Sequence, residues 1–468
     1  MKFFTKIKSV FSLFNTAIRG GEQSFTEGGI DRAIFLLSVP MVLEMAMEAV
    51  FAIVDVFFVS KLHDNDAVAT IGLTESVLTL IYSIAIGLSM GATAMVARRV
   101  GEKDETAARV AAVQAIYIGV SIALVISFVG LFFSTDILRI MGANENIINH
   151  CSGYTKWMIT GNIVIMMLFL INAIFRGAGD ASLAMYSLGI ANLMNIALDP
   201  IFIFGLGPIP SFGVEGAGIA TTIGRGTGVL FQLYHLYRGK GVIKIHADNW
   251  TIKGDIIVRL LKVAAGGTGQ FLIGSASWIF LVRIMSSFGS SALAGYTIAI
   301  RVIVFAILPA WGMANAAATL VGQNLGAGHP DRAEKSVWRA GFFNMIFLGS
   351  VTILFLFFAQ SIVNIFTTDV EVRELGVRCL QIVSIGYIFY AYGMVINQSF
   401  NGAGDTRTPT LLSLFGFWAV QIPLAYLLAK PLDFGPSGVY IAIVFAETLM
   451  AIIGITIFRR GKWKLTKI

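Results

Sequence analysis

Five carboxylates interrupt apolar stretches in the first half of the chain. They are Glu44, Glu48 and Asp55 in Ala33–Ser60, Glu75 in Ile71–Ala97, and Asp199 in Leu183–Leu206. At about 100° per residue, steps of four and eleven put Glu44, Glu48 and Asp55 on one helical face. Asn195 and Asp199, one turn apart, share a face of their own helix, and Glu75 stands at a depth comparable with Asp55. An acid at the centre of a bilayer costs at least ~2.5 kcal/mol, so such groups line a cavity and serve protons or ions. Two nearby carboxylates resist joint ionisation. Asp55 and Asp199 are therefore expected to capture a proton, or to coordinate Na⁺ with oxygen from Asn195. Structural uses compete: Asp199, ahead of Pro200, can cap a kinked segment, and Glu44 can sit at the cytoplasmic interface. Enzymatic chemistry finds no comparable residues. His63, His150, His235, His246 and His329 read as loop or helix-end residues, and no Gly-x-x-x-x-Gly-Lys-Ser/Thr run is present. Cys151 and Cys379 are too few for a disulfide framework and read as packing residues. No enzyme activity and no cofactor are expected.

The elements that hold these acids follow from composition. Of 468 residues, 56% are hydrophobic and 13% charged, against about a quarter charged in soluble domains. Apolar stretches long enough to span a bilayer, about 20 residues, occur twelve times. They are Ala33–Ser60, Ile71–Ala97, Ala108–Phe133, Trp157–Phe175, Leu183–Leu206, Ala217–Tyr237, Ile257–Ser286, Leu293–Val321, Ala340–Phe358, Leu380–Phe400, Leu411–Ala429 and Val439–Phe458. This predicts an all-α polytopic membrane protein. The ~10-residue alternation of a membrane barrel is absent. Residues 1–32, with basic residues around Val10–Phe14, read as an amphipathic lead-in rather than a cleaved signal. Arg98, Arg99, Arg109, Arg332, Arg339 and the basic tail 459–468 fall on one side, which places both termini in the cytoplasm. Topology thus accounts for the net charge of +7, and no nucleic-acid partner is expected.

An internal repeat sets the architecture. Phe175-Arg-Gly-Ala-Gly-Asp180 returns as Phe400-Asn-Gly-Ala-Gly-Asp405, 225 residues later. The same shift brings Gly87 onto Gly312, Gly101 onto Gly326 and Val77 onto Val302, while Gly213–Ala220 resembles Gly435–Ala442 at a shift of 222. Each copy holds six helices, an even number, so both enter the bilayer in the same direction. The two six-helix bundles are then related by a pseudo-two-fold axis along the membrane normal. The lobes are residues 33–237 and 257–458, joined by a linker at 238–256. The copies differ in charge. Phe280 and Leu424 occupy the places of Asp55 and Asp199, so the second half is read as lacking these acids. It presents Arg283, Arg301, Gln270, Tyr390 and Asn397 as candidates for substrate contact or a gate, and one such gate would pair Arg301 with Glu75.

Ile53-Val-Asp-Val-Phe-Phe-Val-Ser60, Gly322-Gln-Asn-Leu-Gly-Ala-Gly328, the two Gly-Ala-Gly-Asp segments and Asn195-Ile-Ala-Leu-Asp-Pro-Ile-Phe-Ile-Phe-Gly205 resemble signatures of the multidrug and toxic compound extrusion (MATE) transporters, over Asp31–Phe458. The resemblance implies two bundles in a V that export organic, cationic or amphiphilic compounds by antiport against H⁺ or Na⁺. Its DinF-like branch implies a coupling site at Asp55, Asn195 and Asp199. A threonine of that site matches Thr221 best, with Thr222 also in range, and a tyrosine matches Tyr154. The further acids of the NorM-like branch, on the seventh and tenth helices, are absent. Glu44 and Glu48 have no counterpart in the DinF-like pattern; with Glu75 they count as additional cavity acids. A lipid-linked oligosaccharide flippase of the same superfamily is the alternative, favoured by Arg283 and Arg301 and opposed by the acids of the N-terminal lobe. The expected setting is an inner membrane, with a small organic substrate and a monomeric protein.

Overall fold

The computed structural model describes residues 2–21, 24–62, 64–239 and 241–468, without the side chains of 2–10, 52, 55, 56 and 65. His63 and the side chain of Asp55 lie outside the described residues. The first lobe follows an N-terminal helix α1 (Lys2–Arg19). It comprises α2 (Ile30–Ser60), α3 (Asn65–Gly101), α4 (Glu105–Ile140), α5 (Glu145–Thr160), α6 (Asn162–Ala178), α7 (Ala181–Phe204) and α8 (Val214–Arg238). The second contains α9 (Gly254–Ser286), α10 (Ser290–Gly326), α11 (Pro330–Asn364), α12 (Val370–Ile385), α13 (Tyr387–Ala403), α14 (Arg407–Ser413), α15 (Ile422–Ala429) and α16 (Pro436–Arg459).

Among the described residues ten segments are long and apolar enough to span a bilayer, and α12 with α13, bent by 59°, makes an eleventh. The remaining expected span, α8, is long enough at 25 residues but less apolar, because glycines, threonines, Glu215 and Arg225 dilute it. Three expected spans are not regular single helices. The fourth breaks at Gly161 between α5 and α6, and the tenth bends at Gly386. The eleventh carries a π-helical stretch, Leu414–Gln421, between α14 and α15. Pro423, just beyond it, has no N–H to continue the regular ladder, a recognised cause of such local unwinding. Hydropathy marks apolar length and is blind to these breaks.

The duplication appears as repeated geometry. Gly179 and Gly404 end α6 and α13 in the left-handed region, at φ 94° and 88°, which only glycine adopts without strain. A Cβ on Gly177 would meet the Thr93 carbonyl oxygen at 2.9 Å, and one on Gly402 the Ala318 oxygen at 2.2 Å; both glycines and both carbonyls are related by the 225-residue shift. Gly101 abuts the Gln323 backbone as Gly326 abuts that of Arg98. These last contacts join the lobes: α2 packs on α10 and α3 on α9. Accordingly Ile34, Leu37 and Met41 of α2 belong to the core of the second lobe, and Leu260 and Ala264 of α9 to that of the first.

The interface is closed at the end that carries the termini. Arg98 donates to Ala403 O at 3.3 Å and Thr466 O at 3.1 Å, and Gln323 Nε2 to Gly177 O at 3.0 Å. Arg332 donates to the carbonyls of Phe25, Glu27 and Gly28. The basic tail is packed rather than trailing: Trp463 is buried and stacks on Phe458 at 4.5 Å. Toward the opposite end of the same helices Ile53, Phe57, Val68, Val304 and Phe305 are exposed, and no hydrogen bond crosses between the lobes there among the described residues. The molecule opens away from its termini.

Candidate functional site

Helix α7 carries Asn195 and Asp199 toward α8, where both are buried. Asn195 Nδ2 donates to Asp199 Oδ1 at 3.3 Å and to Thr221 Oγ1 at 3.2 Å. Thr222, the alternative, turns its hydroxyl to Gly218 O at 2.8 Å. The approach depends on glycine: a Cβ on Gly224 would stand 2.9 Å from both Asn195 Cβ and Ala191 O. Tyr154, buried on α5, packs at Gly218, whose added Cβ would be 3.3 Å from its ring. Four expected residues, Tyr154, Asn195, Asp199 and Thr221, thus fall in one buried locale where α5, α7 and α8 meet. Asn195 Oδ1, itself buried, accepts no hydrogen bond. Oxygens of Asn195, Asp199 and Thr221 in this arrangement can hold a proton or a Na⁺ ion.

The other two acids of α2 are not free cavity carboxylates. Glu44 is 2% exposed. Its Oε1 accepts from Arg176 at 2.6 Å and from Asn172 Nδ2 at 3.0 Å. Asn172 Oδ1 accepts in turn from Ser187 Oγ at 2.6 Å and Gln232 Nε2 at 2.7 Å. Glu48 accepts from Arg225 at 3.1 Å, and that guanidinium lies 5.0 and 5.8 Å from the Phe51 and Phe169 ring centres. The acidic face read from spacing is therefore met by cations whose long side chains reach it from α6 and α8. Glu75 and Arg301 are exposed toward the open end, near enough for their charges to interact, but no ion pair joins them among the described residues. Arg283 is exposed.

A cavity of about 380 Å³ lies largely in the second lobe, walled by α9, α10, α12, α13, α14 and α16 and by the π-helical stretch, with Met90 of α3 contributed by the first lobe. Gln270, Tyr390 and Asn397 line it as expected of substrate-contacting groups, whereas Arg283 and Arg301 do not. Asn401 ties Gln270 to Gln398, donating to Gln270 Oε1 at 3.3 Å and Gln398 Oε1 at 2.7 Å. The cavity also holds Glu447 of α16. Phe280 and Leu424 leave the second half without counterparts of Asp55 and Asp199, but it carries an intramembrane acid at this other position. Its signal was available: Glu447 is an acid inside the apolar run Val439–Phe458.

A lobe-duplicated bundle of kinked helices around buried polar sites is the architecture of a membrane transporter, and comparison with known proteins gives the family. The MatE family model matches residues 40–201 and 269–427, more than half of the chain, one match in each lobe. This chain belongs to the MatE family of membrane transporters. It is 25% identical over 452 residues to the probable multidrug resistance protein YoeA of Bacillus subtilis, covering 95% of this chain and 97% of that one. To the multidrug export protein MepA of Staphylococcus aureus it is 23% identical, covering 94% and 96%. A multidrug resistance MATE family transporter of the MOP superfamily, solved in an outward-facing conformation, superposes with a TM-score of 0.89 at 26% identity, covering 95% of this chain and all of that one.

Proposed function

We propose that this protein is a secondary antiporter that exports organic compounds, cationic or amphiphilic, in exchange for H⁺ or Na⁺ captured in its N-terminal lobe. The single observation that carries the coupling site is the open acceptor Asn195 Oδ1, buried beside Asp199 and Thr221. Buried polar atoms are nearly always satisfied; a proton carried by Asp199 or a bound Na⁺ supplies the missing partner. Asp55 and Tyr154 complete the proposed set. With the basic end and both termini in the cytoplasm, the opening faces outward, the state in which a substrate leaves and the driving ion arrives. The names of YoeA and MepA support a multidrug substrate range. The flippase alternative would need a cationic path, yet Arg176 and Arg225 are matched by Glu44 and Glu48. No cofactor enters this scheme.

Ethidium flux in proteoliposomes, with ΔpH and ΔNa⁺ imposed separately, tests the reading. One gradient should drive flux in the wild type, and Asp199→Asn and Asp55→Asn should abolish it while the proteins still fold. Undiminished flux in both variants would remove the coupling assignment.

A further inference from the structure

We infer that the cavity in the second lobe is a binding site for a monovalent organic cation, with Glu447 as its counter-charge. The inference deepens the export reading and rests on it for what the site serves. Glu447 comes from the middle of an apolar helix, α16, where an unmatched acid is unfavourable. Glu44 and Glu48 each meet an arginine; Glu447 makes no ion pair and no hydrogen bond among the described residues. No lysine, arginine or histidine lines the cavity, so the protein supplies no cation there and an anionic ligand would face only repulsion.

The walls favour the same ligand class. Trp278, Trp311, Tyr387 and Tyr390 present aromatic surface, which attracts a cation through the ring quadrupole, most strongly at tryptophan. Tyr387 also leaves its buried hydroxyl without a partner. At about 380 Å³ the space lies within the range of small-molecule sites, roughly 300–1,000 Å³, and such sites are mostly apolar with a few directing polar groups. Here the directing groups are Glu447, Asn397 and the Gln270–Asn401–Gln398 chain. A site of this kind holds one flat or globular aromatic cation largely within the second lobe, where Met90 of α3 closes one wall, apart from the Asn195–Asp199–Thr221 locale of the first.

Equilibrium dialysis of radiolabelled tetraphenylphosphonium against the purified full-length protein tests this. Glu447→Gln, nearly isosteric, should raise the Kd by about tenfold or more, since it removes one partner of a desolvated charge pair. Glu447→Asp should keep much of the affinity, and Trp278→Leu should fall between. An unchanged Kd in Glu447→Gln, or no saturable binding by the wild type, overturns the site. Proteoliposome flux of the same cation separates the two readings. Glu447-dependent binding in a protein that moves no cation under either gradient would support the site and sink export; gradient-driven flux with unchanged Glu447→Gln binding would do the reverse.

Discussion

Glu44 and Glu48 leave α2 one turn apart and end in separate ion pairs, with Arg176 of α6 and Arg225 of α8. Mutual attraction offsets a desolvation cost of several kcal/mol per ion, and Asn172 adds a bond to Glu44. Removing one member leaves the other charge buried without its counterpart. Arg176→Gln should therefore destabilise the fold by about 3–5 kcal/mol, read as a lower melting temperature of the purified protein. Adding Glu44→Gln should recover most of that loss. A double variant destabilised by the sum of the two single losses would show that the two residues are not coupled. Helical spacing located the acids because it is a local property. It could not name their partners, which lie 132 and 177 residues away. The rule that singles out an ionisable residue in an apolar run applies equally to Arg225 in Ala217–Tyr237 and to Glu447 in Val439–Phe458, so both were within its reach.

At the scale of elements, the coupling locale depends on how closely α8 lies against α7. Gly216, Gly224 and Gly228 all face backbone atoms of α7 at distances a side chain would fill. Gly224→Val would force its Cβ against Ala191 O and Asn195 Cβ, and overpacking of this kind typically costs about 1–3 kcal/mol. The expected outcome is a moved Thr221 and impaired gradient-driven flux, with tetraphenylphosphonium binding in the other lobe unchanged. Wild-type flux in that variant would mean that the Asn195–Thr221 contact is dispensable. Asn195 and Asp199 were legible as a pair because they are four residues apart on one helix. Thr221 was preferred over Thr222 only by resemblance; the packing of α8 makes the distinction physical, by turning one hydroxyl to Asn195 and the other to its own helix.

The whole molecule is closed at one end, where opening breaks the bond of Arg98 to Ala403 across the lobes and pulls on those that tie Arg332 to the segment leading into α2. Hydrogen bonds to a charged group contribute about 1.5–3 kcal/mol each, so these arginines weight the equilibrium toward the closed end. Parallel-repeat transporters rock one bundle against the other about this interface. Thr319 marks the closure: it is fully buried and donates to Arg176 O at 3.2 Å. A cysteine placed there by Thr319→Cys should be poorly reactive to maleimide, and Arg98→Ala with Arg332→Ala should speed its labelling roughly tenfold, the equivalent of one such bond. Unchanged labelling would mean that closure rests on the glycine-mediated backbone contacts alone. The native thiols, Cys151 and Cys379, are buried and will contribute little background.

Sequence alone determined the features that depend on local pattern or on self-comparison. These are the apolar spans, the duplication and hence two parallel bundles, the Asn195–Asp199 face, and the motifs that carried the family resemblance. They are legible because a bilayer demands about 20 apolar residues per crossing and a helix repeats every 3.6. Tertiary structure decided where each buried charge finds its counterpart, where helices break, and which face of a lobe encloses a cavity. Glu44 and Glu447 illustrate the difference. Both are acids in apolar helices, Glu44 on a face with other acids and Glu447 alone in its helix, and neither sequence context names a partner. Only the tertiary fold brings the Arg176 side chain from α6 to the first, while α9, α10 and α13 surround the second with aromatic rings and amides and no cation.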